Sequence, residues 1–204
     1  MDPIQLLMDE HRVIEHALEA LDLYASRLLG GSADPADLGR FVEFIRLYSD
    51  GLHHRKEEDM LFTALVENGF PRDGGPIAVM LMEHDEGRRL VGLMAAVAGL
   101  VAPLSADDRN TVAGAASGFT TLLRQHIFKE DNILYPMART HLPNQAMEGL
   151  AAAFVQFEAA NQVERERLLE LAKTLVTTYA GGAGSAPRQQ ECQSCCCGGA
   201  PSGH

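Results

Sequence analysis

The stretches HHRKEEDMLF at residues 53–62 and HIFKEDNILY at residues 126–135 align at a shift of 73 residues. Histidine, lysine, glutamate and leucine coincide at His53/His126, Lys56/Lys129, Glu57/Glu130 and Leu61/Leu134. Glu58/Asp131, Met60/Ile133 and Phe62/Tyr135 are similar. The same shift carries Glu10-His11 onto Glu83-His84, so the chain holds Glu10, His11, His53 and Glu57 in its first half against Glu83, His84, His126 and Glu130 in its second. His54 stands outside the repeat, opposite Ile127.

Residues four apart on a helix lie nearly above one another. His53 and Glu57 can therefore point at one spot, as can His126 and Glu130. Both pairs sit among core-type residues such as Leu52, Leu61, Ile127 and Leu134. A charged glutamate on an inward face is costly unless it is paired or bound to metal. One His-x-x-x-Glu is commonly an exposed intrahelical pair; two at the shift that also aligns Glu-His upstream point to a metal cage. Imidazole with carboxylate suits iron, zinc or manganese. Two carboxylates with four or five histidines are too many for tetrahedral zinc and match two six-coordinate irons sharing bridging glutamates.

Outward from the repeat, the pattern is helical. Asp2-Pro3 reads as an N-cap with proline at the first helical position, and apolar residues at helical spacing continue to Gly30-Gly31. Asp34-Pro35 starts a second helix that stops near Asn68-Gly69, weakened by Gly39 and Gly51. A third spans about Ile77 to Val101. A fourth, capped by Ser105, runs to about Arg139, with Pro136 tightening its last turn. Leu142-Pro143 opens a fifth that reaches about Tyr179. Long helices joined by short loops predict an all-α, up-down four-helix bundle with an additional C-terminal helix. The domain is expected over residues 1–180. Residues 181–204, rich in Gly, Ser, Ala, Pro and Gln, read as a disordered tail.

The chain has 204 residues, 46% of them apolar, and a formal net charge of -11. That charge offers no electrostatic footprint for nucleic acid and is repelled by anionic lipid. No stretch approaches the roughly 18 uncharged apolar residues of a membrane span. The start, MDPIQLLMDEHRVIE, is acidic and amphipathic rather than a basic region followed by an apolar run. All four cysteines, Cys192, Cys195, Cys196 and Cys197, lie in the tail. No disulfide can therefore staple the domain, and a reducing cytoplasm is the expected setting. The tail's Cys-x-x-Cys lacks the βαβ setting of a thioredoxin-like motif. It reads as an oxidisable tail without a fixed role, with transient metal binding or electron relay as the alternative.

The segments EH, HHRKEEDMLF, MEHDEGR and HIFKEDNILYP together resemble the hemerythrin-like, or HHE cation-binding, family over about residues 1–180. The resemblance implies a four-helix bundle with two irons bridged by oxygen, as oxo or hydroxo, and by two carboxylates. His11 and His53 would hold one iron, His84 and His126 the other, and Glu57 and Glu130 would bridge them. Oxygen carriers of the family have a further histidine one turn after the third-helix ligand, and here that position is Arg88. His54 is the candidate replacement, since the residue beside the first helix-two ligand also serves as a ligand within the family; an exposed or merely supporting His54 is the alternative. The substitution weighs against simple reversible oxygen carriage.

The function expected from this resemblance is binding or sensing of dioxygen or a related small oxidant. The alternatives are a redox enzyme that removes peroxide or handles nitric oxide, and iron storage or sensing. Dioxygen, peroxide or nitric oxide would be the ligand, with a possible redox partner. Ferritin-like enzymes are disfavoured, because their Glu-x-x-His motif occurs nowhere. His16, His141, Glu10 and Glu83 read as solvated, with an orienting role for the two glutamates as the alternative. Glu15, one turn after His11, is not assigned a role.

Overall fold

The computed structural model describes residues 1–100 and 103–181. The expected tail, with Cys192, Cys195, Cys196 and Cys197, falls on residues 182–204 and lies outside the described residues, as does the expected end of the third helix at Val101. Among the described residues all regular structure is helical: α1 (Pro3–Leu29), α2 (Asp37–Phe44), α3 (Phe62–Glu67), α4 (Gly75–Ala98), α5 (Ala106–Lys129), α6 (Tyr135–His141) and α7 (Asn144–Tyr179). The sequence signals act where expected at two starts. Asp2 accepts from the backbone N–H groups of Ile4 and Gln5, and Ser105 forms a reciprocal capping box with Asp108. Gly31, at φ 72°, reverses the chain after α1 in a conformation that favours glycine.

The second and fourth helices differ from the expectation. Between α2 and α3 the backbone widens into π turns at Ile45–His54 and Glu57–Leu61, and between α5 and α6 at Glu130–Leu134. Phe62 N–H bonds to the Glu57 carbonyl and Tyr135 N–H to the Glu130 carbonyl, five residues back in both cases. Pro136 is not the cause, because Thr63 holds its place in the first half beside the same π turn. What the two π turns share is that each begins at a glutamate of the repeat. Single π turns inside α-helices are frequent at functional sites.

α1, the α2–α3 arm, α4 and the α5–α6 arm form the bundle. α7 lies along its outside against α1 and α2. The interior is not one continuous apolar core. One apolar cluster includes Ile14, Leu18, Tyr24, Phe41, Met94, Phe119 and Leu168. The other includes Ile4, Leu7, Phe62, Met80, Leu134 and Phe154. On α1 the gap between them, from Leu7 to Ile14, holds buried Glu10 and His11. A polar layer crosses the bundle there. Phe154 and Leu168 place α7 against both clusters, so the fifth helix spans the layer. Phe154→Ala should cost about 3–5 kcal/mol of stability, measured by urea unfolding; a loss below about 1 kcal/mol would show that α7 is not fastened there.

Candidate metal centre

The polar layer contains His11 from α1, His53 and His54 from the first π turn, Glu57 from the second, His84 from α4, His126 from α5 and Glu130 from the third π turn. All seven are buried. Their donor atoms gather in two adjoining groups, His11, His53, Glu57 and Glu130 in one and His54, Glu57, His84 and His126 in the other. Within each group the donor atoms all lie within 4.8 Å of one another. Either group could hold a cation. The structure thus brings together every residue expected at the site, including His54.

The two glutamates sit where bridges would be needed. Glu130 Oε2 lies 3.3 Å from His11 Nε2 and 3.2 Å from His126 Nε2. Glu57 Oε2 lies 3.6 Å from His53 Nε2 and 3.5 Å from His84 Nε2. Each carboxylate therefore reaches a histidine of both halves. His84 Nε2 and His126 Nε2 approach to 3.0 Å. The His54 ring stacks on His84 with centroids 3.8 Å apart, and its Nε2 is buried without a partner. The inward turn of both His53 and His54, neighbours in sequence, occurs in the widened π turn.

Behind each imidazole stands a carboxylate. Nδ1 of His11 contacts Asp131 at 2.7 Å, His53 Glu10 at 2.9 Å, His54 Asp50 at 3.3 Å, His84 Glu58 at 2.7 Å and His126 Glu83 at 3.0 Å. A carboxylate only accepts, so it fixes the proton on Nδ1 and leaves the Nε2 lone pair facing inward. The carboxylates in turn are held by cations: Asp131 by Arg12, Glu10 by Lys56 and Glu83 by Lys129. Arg88 serves the remaining two, donating to Asp50 at 2.9 Å and to Glu58 at 2.6 Å. The residue that replaces an expected ligand thus braces the carboxylates behind His54 and His84. Glu10 and Glu83, read from sequence as solvated, orient His53 and His126. The 73-residue shift already paired Glu10 with Glu83 and Glu58 with Asp131; what it lacked was any sign of which side of the helix they face.

The electrostatics favour a cation. Burial, and next the adjacent Glu130 carboxylate, raise the Glu57 carboxyl well above its ordinary range. Burial also opposes ionisation of Glu130, but His126 and His11 outweigh it and hold that carboxyl well below the usual range. For His126, burial is overcome by Glu130 and the group is raised to about 9. Burial, reinforced by neighbouring imidazoles, lowers His54 to about 3 and His53 well below the usual range, and lowers His84 despite Glu58. Glu57 Oε2, both oxygens of Glu130 and His54 Nε2 accept or donate no hydrogen bond. Buried polar atoms rarely remain so, and these belong to three of the seven converging residues.

Tyr135 adds a further contact to the site. Its hydroxyl donates to Glu57 Oε1 at 2.6 Å, and its ring stacks parallel to His11. Phe62, its counterpart, stacks on His84 without a hydroxyl. His16 and His141 are exposed, as expected, and Glu15 pairs with Arg12 rather than joining the site.

Lys56 is fully buried between Glu10 and Glu158 of α7, above the rings of Phe154 and Phe157. Its counterpart Lys129 is partly exposed. Lys56→Met leaves Glu10 buried without its cation and should cost about 3–5 kcal/mol, whereas Lys129→Met should cost under about 1 kcal/mol. Equal losses in urea unfolding would contradict this asymmetry.

The Hemerythrin HHE cation binding domain matches residues 2–138. An iron-sulfur cluster repair protein YtfE of Enterobacter sp. strain 638 is 31% identical over 136 residues, which is 64% of this chain and 60% of that protein. The YtfE of Salmonella schwarzengrund is 31% identical over 137 residues, with the same coverage. Uncharacterized protein Rv1995 of Mycobacterium tuberculosis is 25% identical over 149 residues, 72% of this chain and 58% of that one. The chain thus spans about 60% of the length of the curated relatives it matches. No solved structure gives a significant match. A helical bundle with a duplicated histidine and glutamate cage at its centre, matched by this domain over residues 2–138, belongs to the hemerythrin HHE cation-binding family.

Proposed function

We propose that this chain is a di-iron protein whose centre binds or senses dioxygen or a related small oxidant. His11 and His53 would hold one iron, His54, His84 and His126 the other, and Glu57 and Glu130 would bridge them. The observation that carries the reading is the convergence of five inward Nε2 atoms on two buried carboxylates, in two adjoining groups that share Glu57. Seven nitrogen and oxygen donors exceed what one tetrahedral zinc takes. The first cysteine is Cys192, so no thiolate from the helical region competes for the site. The paired irons, when bound, would supply a redox centre able to exchange electrons with a small oxidant.

The chain's own residues do the rest. The five carboxylates on Nδ1 fix each imidazole's orientation and raise its basicity. Tyr135 holds Glu57 in place through Oε1 and leaves Oε2 free. The apolar clusters on either side keep bulk water from the layer. Arg88 ties the two carboxylates that aim His54 and His84. The reading carries a reducing, cytoplasmic setting and a redox partner with it. A second reading, iron handling, is favoured by the YtfE relatives, which are iron-sulfur cluster repair proteins.

Stopped-flow mixing of the reduced, iron-loaded protein with oxygen tests the reading. A reversible oxygen-dependent spectrum supports binding or sensing. Irreversible oxidation with oxygen evolved from peroxide supports the enzyme alternative, and no spectral response to either oxidant contradicts both. His54→Ala should lower retention of one iron and change the optical spectrum; unchanged iron content and spectrum would remove His54 from the ligand set. Arg88→Ala should weaken metal binding by about 10–100-fold, with Arg88→Lys intermediate because lysine cannot fork between two carboxylates; wild-type metal affinity in both would contradict the bracing role.

A further inference from the structure

A cavity of about 190 Å³ lies beside the second half of the centre. The buried imidazoles of His54 and His84 and the exposed side chain of Arg88 share its wall, so it runs from the surface to two of the proposed ligands. The internal duplication explains why it exists on this side. At the 73-residue shift, His54, Gly87 and Val91 correspond to Ile127, Ile14 and Leu18. Those three are all buried in the larger apolar cluster. Where the first half places a branched aliphatic side chain at residue 14, the second half has none. A glycine inside a 24-residue helix is unfavourable for the backbone, and here its missing side chain keeps space open in front of Phe119.

We propose that this cavity is the port by which the centre receives its small-molecule ligand, a proposal that rests on the di-iron reading above. Its volume has room for about six water-sized molecules at ~30 Å³ each, which admits a small molecule and excludes a large substrate. Ile45, Val91, Phe119 and Leu123 give it an apolar side. Two guanidiniums also line it, those of Arg46 and Arg88, and Arg88 is committed by its bonds to Asp50, Glu58 and Asp85. The carboxylates of Asp50 and Glu83 in the same wall offset the two guanidiniums, which leaves the wall without net charge. A small uncharged molecule such as a diatomic is therefore the class of ligand that fits, and it reaches the centre past His54 and His84.

Two measurements on the full chain test the port. Crystals pressurised with xenon report the cavity without reference to iron, and nitric oxide mixed with the reduced, iron-loaded protein reports access to the centre. Gly87→Ile installs the first half's own residue. It should expel xenon and slow nitric oxide association by at least about ten-fold, with iron content and resting spectrum unchanged. Gly87→Ala guards against misfolding of the larger variant, because its methyl would meet only the Phe119 ring, at 3.6 and 3.9 Å; it should slow association by a smaller factor. Xenon absent from the wild-type cavity overturns the port. So does an unchanged nitric oxide rate in variants whose cavity no longer admits xenon. A preparation without bound iron overturns the di-iron reading and the port with it, whereas iron-loaded protein whose nitric oxide rate ignores a filled cavity overturns the port alone.

Discussion

Glu57 and Glu130 are completely buried at the middle of the bundle, with donor oxygens within 4.8 Å of each other. Two carboxylates so placed cannot both ionise without nearby positive charge. In the metal-free chain the compensation is partial: Glu57 is pushed toward its neutral form, and Glu130 leans on His126 and His11. Three carboxylate oxygens are left with no hydrogen bond. A cation between them removes the repulsion and occupies the unsatisfied atoms together. The divided apolar core follows from the same constraint, because no aliphatic side chain can fill a layer occupied by seven polar ones.

The remaining charges of the site form successive tiers around that pair. Each imidazole points one nitrogen inward and the other at a carboxylate, and each carboxylate meets a lysine or arginine. The two halves use equivalent residues for most of this: Glu10 with Lys56 and Glu83 with Lys129, Asp131 behind His11 and Glu58 behind His84. They part at three places. Tyr135 donates to Glu57 where Phe62 has no hydroxyl. Glu158 of α7 covers Lys56, while Lys129 stays partly exposed. His54 stands opposite Ile127, and Arg88 opposite Glu15. The first half is closed beneath the fifth helix, and the second is braced by a guanidinium beside an open cavity.

The bundle and the convergence of its histidines and glutamates were legible in the sequence because helical geometry links residues four apart, and His53–Glu57 and His126–Glu130 need only that local rule. The π turns were not legible. They arise where the backbone adjusts to a tertiary site, and Thr63 and Pro136 occupy equivalent places beside them, so no local breaker announces them. The orienting carboxylates were visible as repeats yet read as solvated. Glu58 and Asp131 look like ordinary surface charges until His84 and His11, on other helices, are brought against them. Arg88 read as a missing ligand; its bracing of Asp50 and Glu58 joins residues 38 and 30 positions away, which no helical periodicity connects.

The central claim is that two metals neutralise one buried carboxylate pair. Metal analysis of anaerobically purified protein tests it most directly, by counting iron and zinc per chain. The account predicts two irons per chain. One zinc and no iron would contradict it, because a single tetrahedral ion would leave most of the seven converging donors without a partner.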